Sequence, residues 1–254
     1  MSLQGLTALI TGGGSGIGLA TAQLFLDAGA NVVITGRTGS TLKEAVTKLG
    51  VGEDRLKSLI ADVSSEGHAK TAVANTVKTF GALNILINNA GVFQGGSILE
   101  EEEEDFDYNI NNNLKGTWLM CKYGARPMIQ NGGGAIVNVS SYLAIRAHIS
   151  TPSAAYAAAK GGILSMTRSL SVELAPHKIR VNVVLPALVN TPMLGAMQGQ
   201  EQVEKLLEYG KKAHPIGRAG EPEDVARSIA FLADPANSWL TGAEVTIDGG
   251  RSVL

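Results

Sequence analysis

The stretch Thr11-Gly12-Gly13-Gly14-Ser15-Gly16-Ile17-Gly18 joins a short apolar segment to an amphipathic segment of helical length. A tight turn from a strand into a helix needs a residue that tolerates positive φ, and a backbone that approaches a pyrophosphate closely must lack Cβ atoms. The amino terminus of the following helix also attracts an anion. The stretch therefore predicts a dinucleotide site, and a plain glycine-rich turn is the alternative.

The rest of the chain alternates short, almost continuously apolar segments with longer helical ones. This pattern predicts an α/β fold, namely a doubly wound (Rossmann) parallel sheet with helices on both faces. The predicted strands are 6–11, 31–35, 56–61, 83–88, 135–140, 180–185 and 244–247, and the predicted helices are 17–28, 41–49, 66–80, 102–130, 154–175, 201–211 and 223–233. We expect a single domain over residues 1–254, in which the poorly patterned segment 187–215 is a substrate loop or an ordinary surface excursion.

The composition excludes several classes of protein. The 254 residues include 21 basic and 23 acidic side chains, so that no charge excess attracts nucleic acid or an anionic membrane. One cysteine excludes an internal disulfide, and the spacing of the four histidines predicts no metal site. The first residues lack a signal peptide pattern, and we expect a cytoplasmic protein whose partner is a small molecule.

The second predicted strand ends in Ile34-Thr35-Gly36-Arg37, where a dinucleotide fold presents a residue to the adenosine ribose. An acidic residue there would repel a 2′-phosphate, whereas the guanidinium of Arg37 can bind one through two hydrogen bonds. This residue favours NADP(H), with NAD(H) as the alternative cofactor and a solvated surface arginine as the alternative interpretation.

Several motifs resemble those of the short-chain dehydrogenases/reductases. The glycine spacing GxxxGxG at 12, 16 and 18, the segment Asn88-Asn89-Ala90-Gly91, and Tyr156 with Lys160 four residues later all match that family, and the resemblance covers essentially the whole chain. It is strongest to NADP-preferring carbonyl reductases and 3-oxoacyl-carrier-protein reductases. The resemblance implies a dinucleotide-binding oxidoreductase that assembles as a homotetramer.

The family's catalytic positions correspond to Asn113, Ser141, Tyr156 and Lys160. The resemblance implies that Tyr156 donates a proton to the carbonyl oxygen, that Lys160 lowers the pKa of this phenol and holds the nicotinamide ribose, and that Ser141 positions the substrate oxygen. It also implies that Asn113 supports a proton relay. Because the adjacent residues Asn111 to Asn113 form a poor α-helix, they predict a kink or functional site, with a tolerated polar face as the alternative.

The residues that match the family's cofactor contacts lie in the glycine loop, after three further strands and on the catalytic helix. They are Gly12, Ser15, Gly16, Ile17, Gly18, Arg37, Asp62, Val63, Asn89, Ala90, Gly91, Tyr156, Lys160, Pro186, Val189 and Thr191.

One departure from the family pattern is Ala187, where the family has a glycine after this proline. If the position requires positive φ, alanine strains or shifts the turn and weakens the assignment of Val189 and Thr191. A second departure is the interval of 15 residues between Ser141 and Tyr156, which is longer than in many relatives and predicts an unusual pocket wall.

Two other features of the sequence have simpler interpretations. His148 borders the substrate pocket or belongs to a surface loop. The acidic run 100–105 predicts a solvated helix start.

The sequence therefore predicts an enzyme that interconverts a ketone or aldehyde and an alcohol with NADP(H). The alternatives are a 3-oxoacyl-carrier-protein reductase and an NAD-dependent alcohol, hydroxysteroid or sugar dehydrogenase. For a carrier protein, basic side chains near the pocket mouth are expected, and the candidates are Arg126, Arg146, Lys211 and Lys212. A nucleotide-binding protein without activity is disfavoured because the proposed catalytic set is intact.

Overall fold

The computed structural model describes residues 1–148, 151–198 and 200–254, with the side chains of residues 196–201 left aside. Within these residues, seven strands form one parallel β-sheet in the order β3-β2-β1-β4-β5-β6-β7. The strands are β1 (Thr7–Thr11), β2 (Asn31–Gly36), β3 (Leu56–Ile60), β4 (Ile85–Asn88), β5 (Gly134–Val139), β6 (Ile179–Pro186) and β7 (Glu244–Ile247). The predicted fold class and every predicted strand are confirmed.

The order of the strands reverses direction beside β1. The chain runs outward through β2 and β3, returns to pair β4 with the other side of β1, and then continues outward to β7. Thr11 and Asn88 end the two central strands at the same edge of the sheet. Open α/β sheets bind ligands at this point, because the two loops diverge there and leave a crevice.

Helices cover both faces of the sheet. They are α1 (Gly16–Asp27), α2 (Gly39–Leu49), α3 (Glu66–Phe80), α4 (Glu103–Asn109), α5 (Gly116–Gln130), α6 (Ala154–Glu173), α7 (Pro192–Gln198), α8 (Gln200–Ala213) and α9 (Pro222–Ala233). Alternate residues of β1 point to opposite faces: Ile10 packs in a core with Phe25 of α1 and Val225 of α9, and Leu9 packs in a second core with Leu119 of α5. The double burial explains why the strands are almost continuously apolar.

One predicted helix is wrong in part. The segment predicted as one helix over 102–130 is divided by a π-helical segment, Ile110–Lys115, that separates α4 from α5. The π-helical segment contains the three adjacent asparagines, and it confirms the expected irregularity there. The acidic run begins α4 as expected, with Asp105 Oδ2 accepting a hydrogen bond from Glu102 N at 3.3 Å.

The expected substrate loop 187–215 is more ordered than its sequence predicted. It contains α7 and α8, of which only α8 was predicted, while Gly199 between them lies outside the described residues. Ile149 and Ser150, in the segment between the proposed catalytic serine and tyrosine, also lie outside them. In the described part of the chain no helix combines the length and the apolar character needed to cross a membrane.

Candidate active site

The glycine loop between β1 and α1 depends on residues without side chains. Gly12 and Gly16 have φ of +65° and +51°. A Cβ on Gly18 would lie 2.3 Å from the carbonyl oxygen of Gly12, so that α1 packs this closely on the loop only with glycine there. Within the described structure the Ser15 side chain does not cap α1. The first amide groups of this helix are therefore left for an anion, and the loop fits the pyrophosphate of a dinucleotide.

Two adjoining cavities follow the carboxyl edge of the sheet, and both are lined by the glycine loop and by the segment after β4. The first, of about 720 Å³, extends over the ends of β2 and β3. The second, of about 610 Å³, lies against α6. Every proposed cofactor residue except Gly18 lines one or both: Arg37, Asp62 and Val63 line the first, Gly12, Ser15, Ala90 and Gly91 line both, and Gly16, Ile17, Asn89, Tyr156, Lys160, Pro186, Val189 and Thr191 line the second.

The far end of the first cavity carries one cation beside one carboxylate. Arg37 is exposed and lines this cavity. Asp62 Oδ1 accepts hydrogen bonds from Ser64 N at 2.9 Å and from Ser64 Oγ at 2.7 Å. Although partial burial opposes it, these bonds and the charge of Arg37 hold the pKa of Asp62 below its usual value. The carboxylate is thus ionised at neutral pH and already accepts hydrogen bonds from Ser64 in its own turn.

The segment after β4 holds the glycine loop in place. Asn89 Nδ2 donates to the carbonyl oxygens of Thr11 at 3.0 Å and Gly12 at 3.2 Å. Thr11 Oγ1 in turn accepts from the backbone amides of Asn89 and Ala90, at 3.0 Å each. The Asn89 side chain therefore holds the backbone of the glycine loop and positions the turn between the two cavities.

Asn113 connects the π-helical segment to the same region. Its buried side chain donates to the carbonyl oxygens of Val92 and Asn109, at 3.1 and 2.9 Å, and accepts from Val92 N at 3.2 Å. A Cβ on Gly91 would lie 2.7 Å from Asn113 Oδ1 and 3.3 Å from Lys160 Nζ. Glycine at position 91 leaves room for both side chains beside the backbone of this segment, and π-helical turns are frequent at functional sites.

Ser141, Tyr156 and Lys160 converge in the second cavity. Ser141 follows β5, and its side chain is hydrogen-bonded to Tyr156. Lys160 lies one turn after Tyr156 on α6, with its Nζ 5.7 Å from the centroid of the phenol ring. Lys160 Nζ donates to the carbonyl oxygen of Val139 at 3.0 Å. The neighbouring Ser140 donates to the backbone of α6 instead, which distinguishes its role from that of Ser141.

Burial controls the protonation of both α6 side chains. It raises the pKa of Tyr156 to about 12, and the hydrogen bond with Ser141 offsets only part of this effect. It lowers the pKa of Lys160 to about 8, because an ammonium group is costly away from water. Desolvation is thus the largest influence on this phenol in the chain by itself, and the lowering of its pKa by Lys160 together with the nicotinamide charge stays a prediction.

Ala187 does not have the backbone strain that a positive φ would impose. Lys178 is the one described residue other than glycine with positive φ, so Ala187 has no such conformation. Its amide donates to Ile247 O at 3.2 Å and continues the pairing of β6 with β7. The side chain of Thr191 contacts the position that a Cβ on Gly16 would occupy, at 3.1 Å. The segment after β6 thus closes against the glycine loop without a glycine at 187.

Four side chains that are not among the predicted site residues line the second cavity. Phe93 packs against Tyr156 with ring centroids 4.8 Å apart. Tyr142, Tyr209 and Arg251 form a cluster at the other side, in which the guanidinium contacts both phenol rings. Arg251 follows β7 by four residues, and its place after a strand at the ligand-binding edge is a signal that the sequence contains.

His148 reaches this cluster from outside the cavity. Its Nε2 lies 2.7 Å from Tyr209 Oη. This contact agrees with the interpretation that His148 borders the pocket. In the part of the chain that the structure describes, no group of acidic, histidine and cysteine side chains is arranged to hold a metal ion.

Comparisons with known proteins relate the chain to dehydrogenases and reductases. A family model described as enoyl-(acyl carrier protein) reductase matches residues 12–252. The (2S)-[(R)-hydroxy(phenyl)methyl]succinyl-CoA dehydrogenase subunit BbsD of Thauera aromatica is 36% identical over 254 residues, which are 100% of this chain and 99% of that protein. The 3-oxoacyl-[acyl-carrier-protein] reductase FabG of Thermotoga maritima is 36% identical over 250 residues, covering 98% of this chain and 99% of that protein. A solved structure of a short-chain type dehydrogenase/reductase from Mycobacterium ulcerans superimposes with a TM-score of 0.91 at 31% identity, covering 100% of this chain and 92% of that one.

Proposed function

The chain belongs to the short-chain dehydrogenase/reductase family, and we propose that it transfers a hydride between NADP(H) and the carbonyl or alcohol carbon of a small molecule. One observation carries the proposal. Ser141 and Tyr156 are hydrogen-bonded to each other in a cavity that Lys160 lines and that adjoins the cleft at the glycine loop. A proton donor and a hydrogen-bond donor for a substrate oxygen thus lie next to a site that fits a dinucleotide.

The choice of NADP(H) rests on the far end of the first cavity. Arg37 lines it just after β2, where the adenosine ribose is expected, and Gly36 places no carboxylate at the strand end. Asp62 is the acidic residue lining this cavity among the described residues, and its carboxylate is already bonded to Ser64. A 2′-phosphate at this position could therefore bind the guanidinium of Arg37, while the carboxylate of Asp62 is already engaged by Ser64.

The bound cofactor would supply or accept the hydride. In the direction of reduction, Tyr156 donates the proton that the carbonyl oxygen takes up, and its pKa of about 12 keeps the phenol protonated at neutral pH. Ser141 holds the same oxygen through its hydroxyl group. In the reverse direction, ionising the phenol at pH 7 would cost about 7 kcal/mol at 1.36 kcal/mol per pKa unit. The ammonium of Lys160 provides one positive charge that offsets this cost.

The test of this mechanism is Tyr156→Phe, which removes the acidic proton and keeps the ring. We expect the NADPH-dependent reduction of a panel of ketones and aldehydes to fall by about 10²- to 10⁴-fold, the usual effect of general acid catalysis. Tyr123→Phe is the matched control, because Tyr123 bonds to Glu66 on α3, away from both cavities. A wild-type rate in Tyr156→Phe, with NADPH binding unchanged in a fluorescence titration, would contradict the mechanism.

A 3-oxoacyl-carrier-protein reductase is the second candidate, because a relative that matches the full length carries that name. Of the basic residues expected to meet a carrier protein, Arg146 bonds to the carbonyl oxygen of Ser252 and Lys211 pairs with Glu208. Comparing 3-oxoacyl groups on a carrier protein with the same acyl groups on a small thiol decides this candidate. A strong preference for the carrier-bound form supports it.

Three expectations remain: the homotetramer, which the family resemblance implies, the cytoplasmic location, and the selection of the substrate by the segment 187–215. In favour of the last, Leu188, Leu194, Leu206 and Tyr209 of this segment line the second cavity. Light scattering of the purified chain tests the assembly, and cell fractionation tests the location.

A further inference from the structure

Arg251 is held in a defined position after the last strand of the sheet. It begins a short 3₁₀ helix, Arg251–Val253. Asp248 fixes the preceding turn by accepting hydrogen bonds from the amides of Gly250 and Ser252, at 3.0 and 2.6 Å. Arg146 Nε donates to the carbonyl oxygen of Ser252 at 2.8 Å and joins this helix to the segment after β5. Hydrogen bonds to its two neighbours, Gly250 and Ser252, therefore hold the backbone around Arg251 in place.

The guanidinium lies against two aromatic rings. Its Cζ is 4.9 Å from the ring centroid of Tyr142 and 5.2 Å from that of Tyr209. Nη2 donates one hydrogen bond to Tyr209 Oη, at 3.1 Å. Rings that contact a guanidinium favour a fixed position for it, and a guanidinium has five N–H donors in its plane. Most of these donors remain for a ligand in the cavity that Arg251, Tyr142 and Tyr209 line together.

The charge of Arg251 has no partner in the described part of the chain, where no carboxylate lies within 4.0 Å of its guanidinium. The described lining of the second cavity includes no Asp or Glu, and its two cationic side chains are Lys160 and Arg251. Lys160 lies beside the proposed proton donor. Arg251 is thus the cation that remains for a group carried by the substrate away from its reacting carbon.

We propose that Arg251 binds a carboxylate of the substrate, so that the substrate is an oxo acid, or the corresponding hydroxy acid, with its carboxylate remote from the reacting carbon. This inference rests on the proposed function, since the same cavity holds Ser141 and Tyr156. One guanidinium matches one carboxylate in charge and in its two-pronged geometry. A phosphate dianion would leave one charge without a partner in this lining. The apolar side chains of Leu188, Leu194 and Leu206 suit the carbon chain between the two groups.

The test compares oxo acids with their methyl esters, which have the same ketone and lack the charge. The probes are 4-oxopentanoate, 5-oxohexanoate and 6-oxoheptanoate, each with its methyl ester, reduced by the full chain with NADPH and with NADH. We expect at least one acid to have a kcat/KM about 10- to 100-fold above that of its ester, the usual range for charge-assisted hydrogen bonds. Arg251→Met should abolish this preference through KM, and Arg251→Lys should retain part of it.

The control variant is Arg227→Met, because Arg227 on α9 is exposed and pairs with Asp224 outside both cavities. It should leave the acid-to-ester ratio unchanged. An equal loss for acid and ester in Arg251→Met would show that Arg251 merely supports the fold, and would overturn the proposal. A wild-type preference for the esters, or for methyl ketones that carry a terminal phosphonate, would also overturn it.

A binding measurement separates this proposal from the proposed function. Isothermal titration calorimetry of the best acid and its ester, with saturating NADP⁺, needs no turnover. If neither compound is reduced, that result counts only against the proposed function. If the acid binds about tenfold or more tightly than its ester, and Arg251→Met removes this difference, the carboxylate site stands. Equal binding of acid and ester to the wild-type chain refutes it.

Discussion

Replacing Lys160 with methionine should make the folded chain more stable while it removes the proposed catalytic ammonium group. Burial lowers the pKa of Lys160 from 10.5 to about 8. The difference corresponds to about 3 kcal/mol at 1.36 kcal/mol per unit, and it is the cost of keeping the buried amine charged. Methionine removes this cost and also the hydrogen bond to Val139 O, which contributes about 1 kcal/mol. The expected gain at pH 7 is about 2 kcal/mol.

The dependence on pH identifies the cause of this gain. The unfolded chain binds more protons than the folded chain between pH 8 and pH 10.5, so the stability of the wild type rises with pH in that window. Below pH 8 the full cost is present. At pH 9.5 about 1 kcal/mol of it remains. The advantage of Lys160→Met should therefore shrink by about 2 kcal/mol from pH 7 to pH 9.5, while all other titrating groups cancel in the comparison.

The assay is urea unfolding of both proteins without cofactor, at one protein concentration and at both pH values. Lys43→Met is the matched control, because Lys43 lies on the exposed side of α2. It should change the free energy of unfolding by less than about 0.5 kcal/mol at either pH. A less stable Lys160→Met at pH 7, or an advantage that is the same at both pH values, would refute the reasoning.

Three further predictions concern the cofactor and the reaction. Arg37→Asp should shift the ratio of kcat/KM for NADPH over NADH by at least tenfold toward NADH, and an enzyme that already prefers NADH would disprove the role of Arg37. Gly18→Ala places a Cβ 2.3 Å from Gly12 O, and it should weaken NADPH binding and cost about 1–3 kcal/mol of stability. The control Gly67→Ala, whose Cβ would have one contact at 3.9 Å, should have neither effect. Equal effects of the two substitutions would contradict the close packing. Because the pKa of Lys160 is about 8, kcat/KM for reduction should fall as pH rises above 8, and a flat profile from pH 6 to 9.5 would exclude its charged form from the reaction.

Most of the fold could be predicted because its strongest signals are local. The strands are buried on both faces and therefore read as continuous apolar runs, and the glycine loop is imposed by contacts such as that of Gly18 with Gly12. The π-helical segment was foreseen only as an irregularity at the asparagines. Its type depends on the hydrogen bonds of Asn113 with Val92, a residue 21 positions away in the chain. Helix α7 was missed because its seven residues lie in a segment with glycine, proline and little periodicity.

The candidate site was predictable where residues follow one another at helical or turn spacing, as Tyr156 and Lys160 do. It was not predictable where distant segments meet. Arg251, Tyr142 and Tyr209 come from the end of the chain, the segment after β5 and α8, and no spacing along the sequence relates them. Protonation was also beyond the sequence, because the pKa of Tyr156 depends on how completely the phenol is buried.

The π-helical segment Ile110–Lys115 shifts the helical register between α4 and α5. One extra residue in a turn offsets the faces of α4 and α5 by about 100° relative to an uninterrupted helix. Loss of the codon for Lys115, which lies between Asn113 and α5, would restore a regular helix and turn Asn113 away from Val92, while the core-facing side of α5 keeps its register. Such a deletion should yield a folded chain with a misaligned site, so that folding and chemistry can be separated genetically at one position.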